Sequence, residues 1–336
     1  MAKVRALVAT AAARPAHLDL VEEDDLGPGE VLIEVSWSSL NYKDALAISA
    51  AAPVIRGFPA IVGIDLAGVV RSCSTAALQP GDAVAVTGCG LGEAGWRGGL
   101  AARARVPASW CHRLEGSDRC RWAMAFGTAG VTAAMAVAAL ERHGALFPGA
   151  ALQQRRLPIL VTGAAGGVGS IALALLARLG APVVALTGRL REAERLQGLG
   201  AVEVIGREVL FAGRAHSLSS ERFAGAVDVV GGPLLAAVLA AIARSGAVAA
   251  CGLAGGADLP TSVYPFILRS VSLLGIDSAR APAARRAEAW ALLARLLPDG
   301  LGPDWVRVVP FGDLQEPAAD LLAGRVRGRL VVEMAG

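Results

Sequence analysis

The chain has 336 residues and a formal net charge of +3, long enough for one large or two ordinary domains with ample core. So small a charge, on arginines dispersed without a basic run, argues against nucleic-acid binding. The N-terminus, MAKVRALVATAAARP, holds no long apolar core before a cleavage site, so no signal peptide is read. Five scattered cysteines (Cys73, Cys89, Cys111, Cys120, Cys251) form no C-x-x-C pair, which points to packing roles in a reducing, cytoplasmic setting. The four histidines (His17, His112, His143, His216) make no His/Cys cluster with metal-ligand spacing.

From Val4 to about Arg121, short apolar runs at Val31–Val35, Ala67–Val70 and Pro80–Val86 predict an antiparallel β region. From Trp122 onward, helical stretches alternate with apolar strands around Val161, Val184, Val202–Ile205, Ala226–Val230, Ala247–Cys251 and Leu273–Ile276. That alternation predicts a parallel, doubly wound sheet. The tail returns to another style, with a helix over Arg285–Leu297, a strand at Val306–Val308, a helix over Leu314–Leu322 and a strand at Arg329–Val332. The expected boundaries are therefore 1–123, 124–278 and 279–336. Two uncharged stretches, 123–140 and 157–177, are long enough to span a bilayer, but glycine and threonine breaks inside both predict buried α/β elements and no membrane partner. Residues 145–157 read as a polar surface insertion carrying Arg155 and Arg156.

The most informative stretch is Leu157–Gly180. An apolar strand, Ile159–Val161, stops at Thr162-Gly163, passes through Ala164-Ala165-Gly166-Gly167-Val168-Gly169 and becomes an Ala/Leu-rich helix from Ser170. A glycine turn between strand and helix lets backbone approach a pyrophosphate and offers it the free N–H groups of the helix start. Ala165, Gly166, Gly167 and Val168 are the candidate contacts. The spacing is Gly163-x-x-Gly166-x-x-Gly169 and not a strict G-x-G-x-x-G, so the turn gains its meaning from the βαβ unit around it. After the next strand, Pro182–Leu186, an NAD-binding unit would carry a carboxylate for the ribose 2′-hydroxyl. Here the residues are Thr187-Gly188-Arg189. A hydroxyl and a guanidinium suit a 2′-phosphate, so NADPH is the expected cofactor, against the plainer reading of a solvated arginine at a strand end.

Seven motifs occur in order: SLNYKD (39–44), GIDLAG (63–68), GTAGxTA (127–133), VTGAAGGVGS (161–170), CGLAGG (251–256), PFILR (265–269) and LGIDS (274–278). Over nearly the whole chain they resemble the zinc-free medium-chain dehydrogenase/reductases of the acrylyl-CoA reductase (NADPH) and quinone-oxidoreductase-like type. The resemblance implies a GroES-like β-rich catalytic domain joined to a Rossmann NADPH-binding domain. Zinc relatives carry Cys-x-x-Asp and Gly-His-Glu where this chain has Asn41-x-x-Asp44 and Gly63-Ile64-Asp65. The loop corresponding to the structural zinc site, 87–99, also lacks its cysteines, so no metal is expected. That loop departs from the family at Cys89 and at Gly95-Trp96-Arg97-Gly98-Gly99, which touches substrate choice and leaves the cofactor machinery intact.

By the same resemblance, Thr132, Arg207, Leu253, Ile267 and Ser278 join the cofactor-binding set. Tyr42 is the candidate catalytic side chain, either donating a hydrogen bond to the substrate oxygen or supporting a proton relay, or else packing against the cofactor. Asn41 and Asp44 are expected to fix their loop, Glu93 to be a solvated carboxylate in preference to a substrate contact, and Arg325–Arg329 to be a surface charge run in preference to a basic turn at the cleft rim, where coenzyme A phosphates would give arginines a reason. The implied reaction is reduction of a short 2-enoyl-CoA, first of all acrylyl-CoA. A quinone or enone reductase is the alternative within enzymes, and a non-catalytic NADPH-binding protein the alternative outside them. An apolar last sheet strand, Ser272–Ile276, predicts a homodimer.

Overall fold

The computed structural model describes residues 2–146, 157–211 and 218–334. Within it the chain gathers into two compact units, one of residues 1–129, 278–287 and 302–336, the other of 130–277 and 288–301. The stretch 279–336, expected as one return segment, is thus shared between the two. The expected insertion with Arg155 and Arg156 lies outside the described residues.

The first unit is built on strands β1 (Lys3–Ala9), β2 (His17–Glu22), β3 (Val31–Leu40), β4 (Gly57–Ile61), β5 (Asp65–Cys73), β6 (Ala83–Thr87), β7 (Ala94–Gly95), β8 (Arg103–Val106) and β9 (His112–Arg113). One sheet runs β2-β1-β4-β7. The C-terminal strands β16 (Val306–Pro310) and β17 (Arg329–Glu333) complete a second, β16-β17-β3-β5-β6-β9, with β8 also paired to β3. Side-chain alternation explains why β3 is central. Val31, Ile33 and Val35 face the main core with Leu66 and Val84, while Leu32 turns the other way to a smaller cluster with Val4, Ala6 and Val8. The return is fixed by register: β17 runs antiparallel to β3, Leu330 opposite Leu40 and Glu333 opposite Trp37. β6 begins at Ala83, later than the expected Pro80, because Pro80 lacks a donor and Gly81 turns the chain with φ +96°.

The second unit contains β10 (Ile159–Val161), β11 (Val183–Leu186), β12 (Ala201–Ile205), β13 (Phe223–Asp228), β14 (Ile242–Ala250) and β15 (Ser272–Gly275). All pairings are parallel, in the order β12-β11-β10-β13-β14-β15. This is the doubly wound arrangement, with its switch point between β10 and β13. Every residue of β11 is buried, as a sheet covered on both faces requires.

Helix α1 (Tyr42–Ile48) follows β3, and α2 (Arg119–His143) is broken by Gly127 at φ +53°. The latter is the one described helix long and apolar enough to cross a membrane, and 72% of its apolar window is buried inside the protein, as a core helix would be. The remaining α-helices among the described residues are α3 (Gly167–Arg178), α4 (Ala193–Gly198), α5 (Glu208–Phe211), α6 (Gly232–Ala241), α7 (Tyr264–Arg269), α8 (Ala283–Leu296) and α9 (Gln315–Leu322).

Candidate functional site

In the second unit the glycine turn lies where β10 hands over to α3. Gly166 is the N-cap in extended conformation, and the first helical bond runs from Ser170 N–H to Gly166 O at 3.0 Å. Helix geometry therefore leaves the N–H groups of Gly167, Val168 and Gly169 without partners inside the helix. Two glycines close the turn: a Cβ on Gly163 would stand 2.5 Å from Val229 Cγ2, and one on Gly169 2.4 Å from Gly163 O. Gly166 is different, since a Cβ there would meet only Gly163 O, at 3.2 Å, with open space beyond. A cradle closed behind and open in front, lined by N–H donors, fits an anionic pyrophosphate.

Thr187 and Arg189 stand beside this cradle. Thr187 is buried at the end of β11, and its Oγ1 accepts the Arg189 N–H at 3.0 Å. The Arg189 guanidinium reaches back across the turn and donates from Nη2 to Ala165 O at 2.9 Å. The arginine is thereby held against the phosphate turn and is not loose at a strand end, while a Cβ on Gly188 would meet nothing within 4 Å. The nearest downstream carboxylate, Glu192, is buried and engaged by Arg191 and Arg195. A residue that the sequence reading passed over completes the floor. Asp228, at the end of β13, accepts Thr162 Oγ1–H and Gly231 N–H, both at 2.7 Å, and burial pushes its pKa up.

The other expected cofactor positions divide by unit and exposure. Thr132 is buried in the second unit, where Leu253 and Ile267 are each 68% exposed and Arg207 is exposed after β12. Exposure separates Leu253 and Ile267 from ordinary core leucine and isoleucine. Ser278 is half-buried at the start of the first unit's 278–287 segment.

In the first unit the SLNYKD and GIDLAG motifs meet. Asp65, fully buried, accepts from Ser39 Oγ (2.6 Å), Asn41 Nδ2 (2.7 Å), Thr128 N (2.9 Å) and Thr128 Oγ1 (2.5 Å). Arg329 supplies the counter-charge: it donates to Asn41 Oδ1 (3.1 Å), Ser39 Oγ (3.0 Å) and Ala125 O (3.2 Å), with Nη2 4.0 Å from Asp65 Oδ2. Gly127 makes room, because a Cβ there would fall 2.4 Å from Asp65 Oδ2 and 2.9 Å from Arg329 Nη2. Asp44 closes the N-terminal turn of α1, accepting Asn41 N–H at 2.8 Å and Ile64 N–H at 2.9 Å. Burial first, then the neighbouring Asp65 charge, pushes its pKa up to about 7 against those bonds. Tyr42, the first residue of α1, stands on this frame with its side of the helix open, at 51% exposure.

The same geometry tests the family's metal. The counterparts of zinc ligands are an amide, Asn41, and an aliphatic chain, Ile64, and the two carboxylates already accept N–H and O–H groups. No group of three or more His, Cys, Asp or Glu among the described residues has the geometry to hold a metal ion. The donor set does not fit zinc.

Two expectations are corrected. Glu93 is not a solvated carboxylate, for its side chain is only 15% exposed and pairs with Lys43 and, at 3.6 Å, with Arg56. Arg325–Arg329 is not one surface run: Arg325 pairs with Asp320 at 2.7 Å, Arg327 donates to Asp304 O at 3.0 Å, and Arg329 is 4% exposed in the network above.

Comparison with known proteins places the chain among relatives. Residues 27–116 match the alcohol dehydrogenase GroES-like domain model, and residues 167–295 match the model described as zinc-binding dehydrogenase. The acrylyl-CoA reductase AcuI of Ruegeria pomeroyi is 48% identical over 311 residues, 92% of each chain. YhfP of Bacillus subtilis, described as a putative quinone oxidoreductase, is 42% identical over 95% of this chain and 94% of its own, and its crystal structure with NAD bound superposes with a TM-score of 0.91. The crystal structure of Escherichia coli K-12 YhdH with bound NADPH, 42% identical, matches over 99% of both chains with a TM-score of 0.90. With these relatives and this pair of domains, the chain belongs to the acrylyl-CoA reductase and quinone-oxidoreductase-like family of medium-chain dehydrogenase/reductases.

Proposed function

We propose that the protein is an NADPH-dependent reductase of a short 2-enoyl-CoA, acrylyl-CoA first among them, working without a metal. The observation that carries the reading is the Arg189 guanidinium held across an open glycine cradle by Ala165 O, with no carboxylate at the end of β11. Ala165, Gly166, Gly167 and Val168 hold the pyrophosphate, Thr187 and Arg189 the 2′-phosphate. Thr132, Gly188, Arg207, Leu253, Ile267 and Ser278 complete the cofactor set. An acrylyl-CoA reductase and an NADPH-bound structure among the relatives support the substrate class and the cofactor, and a putative quinone oxidoreductase among them keeps reduction of a quinone or enone as the alternative.

When bound, the dinucleotide supplies a hydride to the β-carbon of the activated double bond. The chain's task is to hold the thioester carbonyl in line and to stabilise the oxygen as the double-bond electron pair shifts toward it. Tyr42 is the side chain proposed for this, donating its phenolic O–H to the developing enolate oxygen before a proton is taken up at the α-carbon. Asn41, Asp44, Asp65 and Arg329 keep α1, and with it Tyr42, in place. We further propose a homodimer in the cytoplasm; β15 is an edge strand whose outer side is unpaired in the sheet order.

The substrate reading is tested by following NADPH oxidation with acrylyl-CoA, a free enone and a quinone side by side, before and after exhaustive chelation. The acyl-CoA should give the highest kcat/KM, and chelation should change nothing. Fastest turnover of the quinone, or activity lost on chelation and restored by zinc, would overturn it.

For the cofactor, NADPH should bind far more tightly than NADH. Arg189→Ala should weaken NADPH by about 10- to 100-fold, as loss of a hydrogen bond to a charged group does, and leave NADH nearly untouched. Equal affinity of the unaltered protein for both dinucleotides rules the assignment out.

For Tyr42, replacing it with Phe keeps the ring and removes the donor. An oxyanion donor is typically worth about 10²–10³ in kcat, so Tyr42→Phe should lower kcat by up to that much with NADPH affinity almost unchanged. A loss below roughly threefold would assign the ring to cofactor packing and leave the proton to solvent.

A further inference from the structure

The 87–99 loop is laid against the two motifs that frame Tyr42. Gly88 N–H donates to Ile64 O and Gly99 N–H to Gly63 O, both at 2.8 Å, so the loop begins and ends on the residues just ahead of β5. Ile64 in turn gives its own N–H to Asp44 Oδ1 at 2.9 Å, which carries the connection on to α1. The middle of the loop makes a second link to the same helix. Glu93 pairs with Lys43, the residue after Tyr42, through Oε1, and Arg56 Nε stands 3.6 Å from its Oε2. Its backbone is held as well, since Glu93 O accepts Arg56 N–H at 2.7 Å. Burial works to raise the Glu93 pKa, but the Lys43 hydrogen bond and charge, followed by the Arg56 charge, outweigh it and keep the carboxyl below its ordinary value. The group is therefore ionised at neutral pH, and the pairing persists there.

Each neighbour of Tyr42 is thus pinned from a different direction. Asn41 is held by Asp65 and Arg329, Lys43 by Glu93, and Asp44 by the N–H groups of Asn41 and Ile64. Successive helical residues point about 100° apart, so Lys43 and Asp44 take two sides of the first turn of α1 and Tyr42 takes the third, the open one. The Asp44 bonds fix where the turn starts. A second attachment on another side fixes its rotation about the helix axis, and that rotation decides where the phenol points. Fully exposed ion pairs contribute little, but Glu93 is largely buried on a loop whose backbone is tied at both ends and in the middle.

We propose that Glu93 is a positioning residue for the reduction: by holding Lys43 it sets the rotation of the first turn of α1 and so aims the Tyr42 phenol at the substrate oxygen. The inference rests on the proposed role of Tyr42 and adds to it a residue that acts only through that side chain. It also gives the loop a part in the chemistry, since any change that moves Glu93 would turn the phenol with it.

Two measurements on the whole protein, saturated with NADPH, test this. The chain has two tyrosines, so Tyr264→Phe, a change at an exposed position of the second unit, leaves Tyr42 as the one site for 3-fluorotyrosine. In that background Glu93→Gln, nearly equal in size but uncharged, should move the fluorine resonance toward its position in the denatured protein. Lys43→Met should do the same, and Lys43→Arg, which keeps the pairing, should leave the resonance in place. The second measurement is a double-mutant cycle in kcat, read on acrylyl-CoA, or on an enone or quinone if either is turned over faster. Glu93→Gln should lower kcat by about 10- to 100-fold, as a misplacement on the order of 1 Å does, with NADPH affinity unchanged as the check on folding. Added to Tyr42→Phe it should cost less than about twofold more, because residues that act through one another do not add. A resonance that stays in place in Glu93→Gln, an unchanged kcat, or losses that multiply in the double variant overturns the proposal. The two readings fail separately. A silent Tyr42→Phe alongside a displaced resonance in Glu93→Gln sinks the donor role of Tyr42, whereas a costly Tyr42→Phe with Glu93→Gln silent in both measurements sinks Glu93 alone.

Discussion

The first unit depends on one buried carboxylate. Asp65 is placed at the start of β5, without access to water, and its charge is tolerable only because four hydrogen bonds and the Arg329 guanidinium surround it. Those partners come from β3, from the entry to α1, from the broken helix α2 and from the last strand, β17. Removing one partner of a buried pair leaves an uncompensated charge, at a typical cost of about 3–5 kcal/mol, so the network enforces a single arrangement of these elements. The arrangement also explains the return of the chain. β17 must lie against β3 for Arg329 to reach Asn41 and Ser39, and the register that places Leu330 opposite Leu40 does this.

Where the motifs of zinc relatives carry cysteine and histidine ligands this chain carries Asn41 and Ile64, and Arg329 is held among the amide, hydroxyl and carboxylate groups of Asn41, Ser39 and Asp65. A fixed guanidinium cannot act as a Lewis acid, so it stabilises the scaffold, and oxyanion stabilisation falls to a hydrogen-bond donor, the role proposed for Tyr42. Chemistry of that kind suits a carbon–carbon double bond already polarised by its own carbonyl. The second unit answers a different requirement with backbone. Its glycine turn offers N–H groups instead of side-chain charge, and its charged side chain at the cradle, Arg189, is anchored to the turn itself.

What the sequence disclosed follows from how far its signals reach along the chain. The β10–turn–α3 unit was legible because strand, glycines and helix are contiguous, and the alternation of later strands gave the parallel sheet. Strand ends were less legible: β13 was expected at Ala226–Val230 and runs Phe223–Asp228, because the glycine loop beyond it takes the chain out of the sheet. The polar network was hidden for another reason. Arg329 finds Ser39 290 residues away and Asn41 288 away, and RVRGR in isolation has the composition of a solvated turn. Glu93 was misjudged likewise, since its partners Lys43 and Arg56 are brought to it only by the fold.

The central claim is that the site delivers hydride to the β-carbon of an enoyl thioester and takes its proton at the α-carbon from elsewhere. Reduction of acrylyl-CoA in ordinary water with NADPH deuterated at the transferable C4 position, followed by proton and deuterium NMR of the product, tests it most directly. The account predicts one deuterium in the methyl group of propionyl-CoA and none at the α-carbon. Deuterium at the α-carbon, or its appearance in solvent with an unlabelled product, would contradict it.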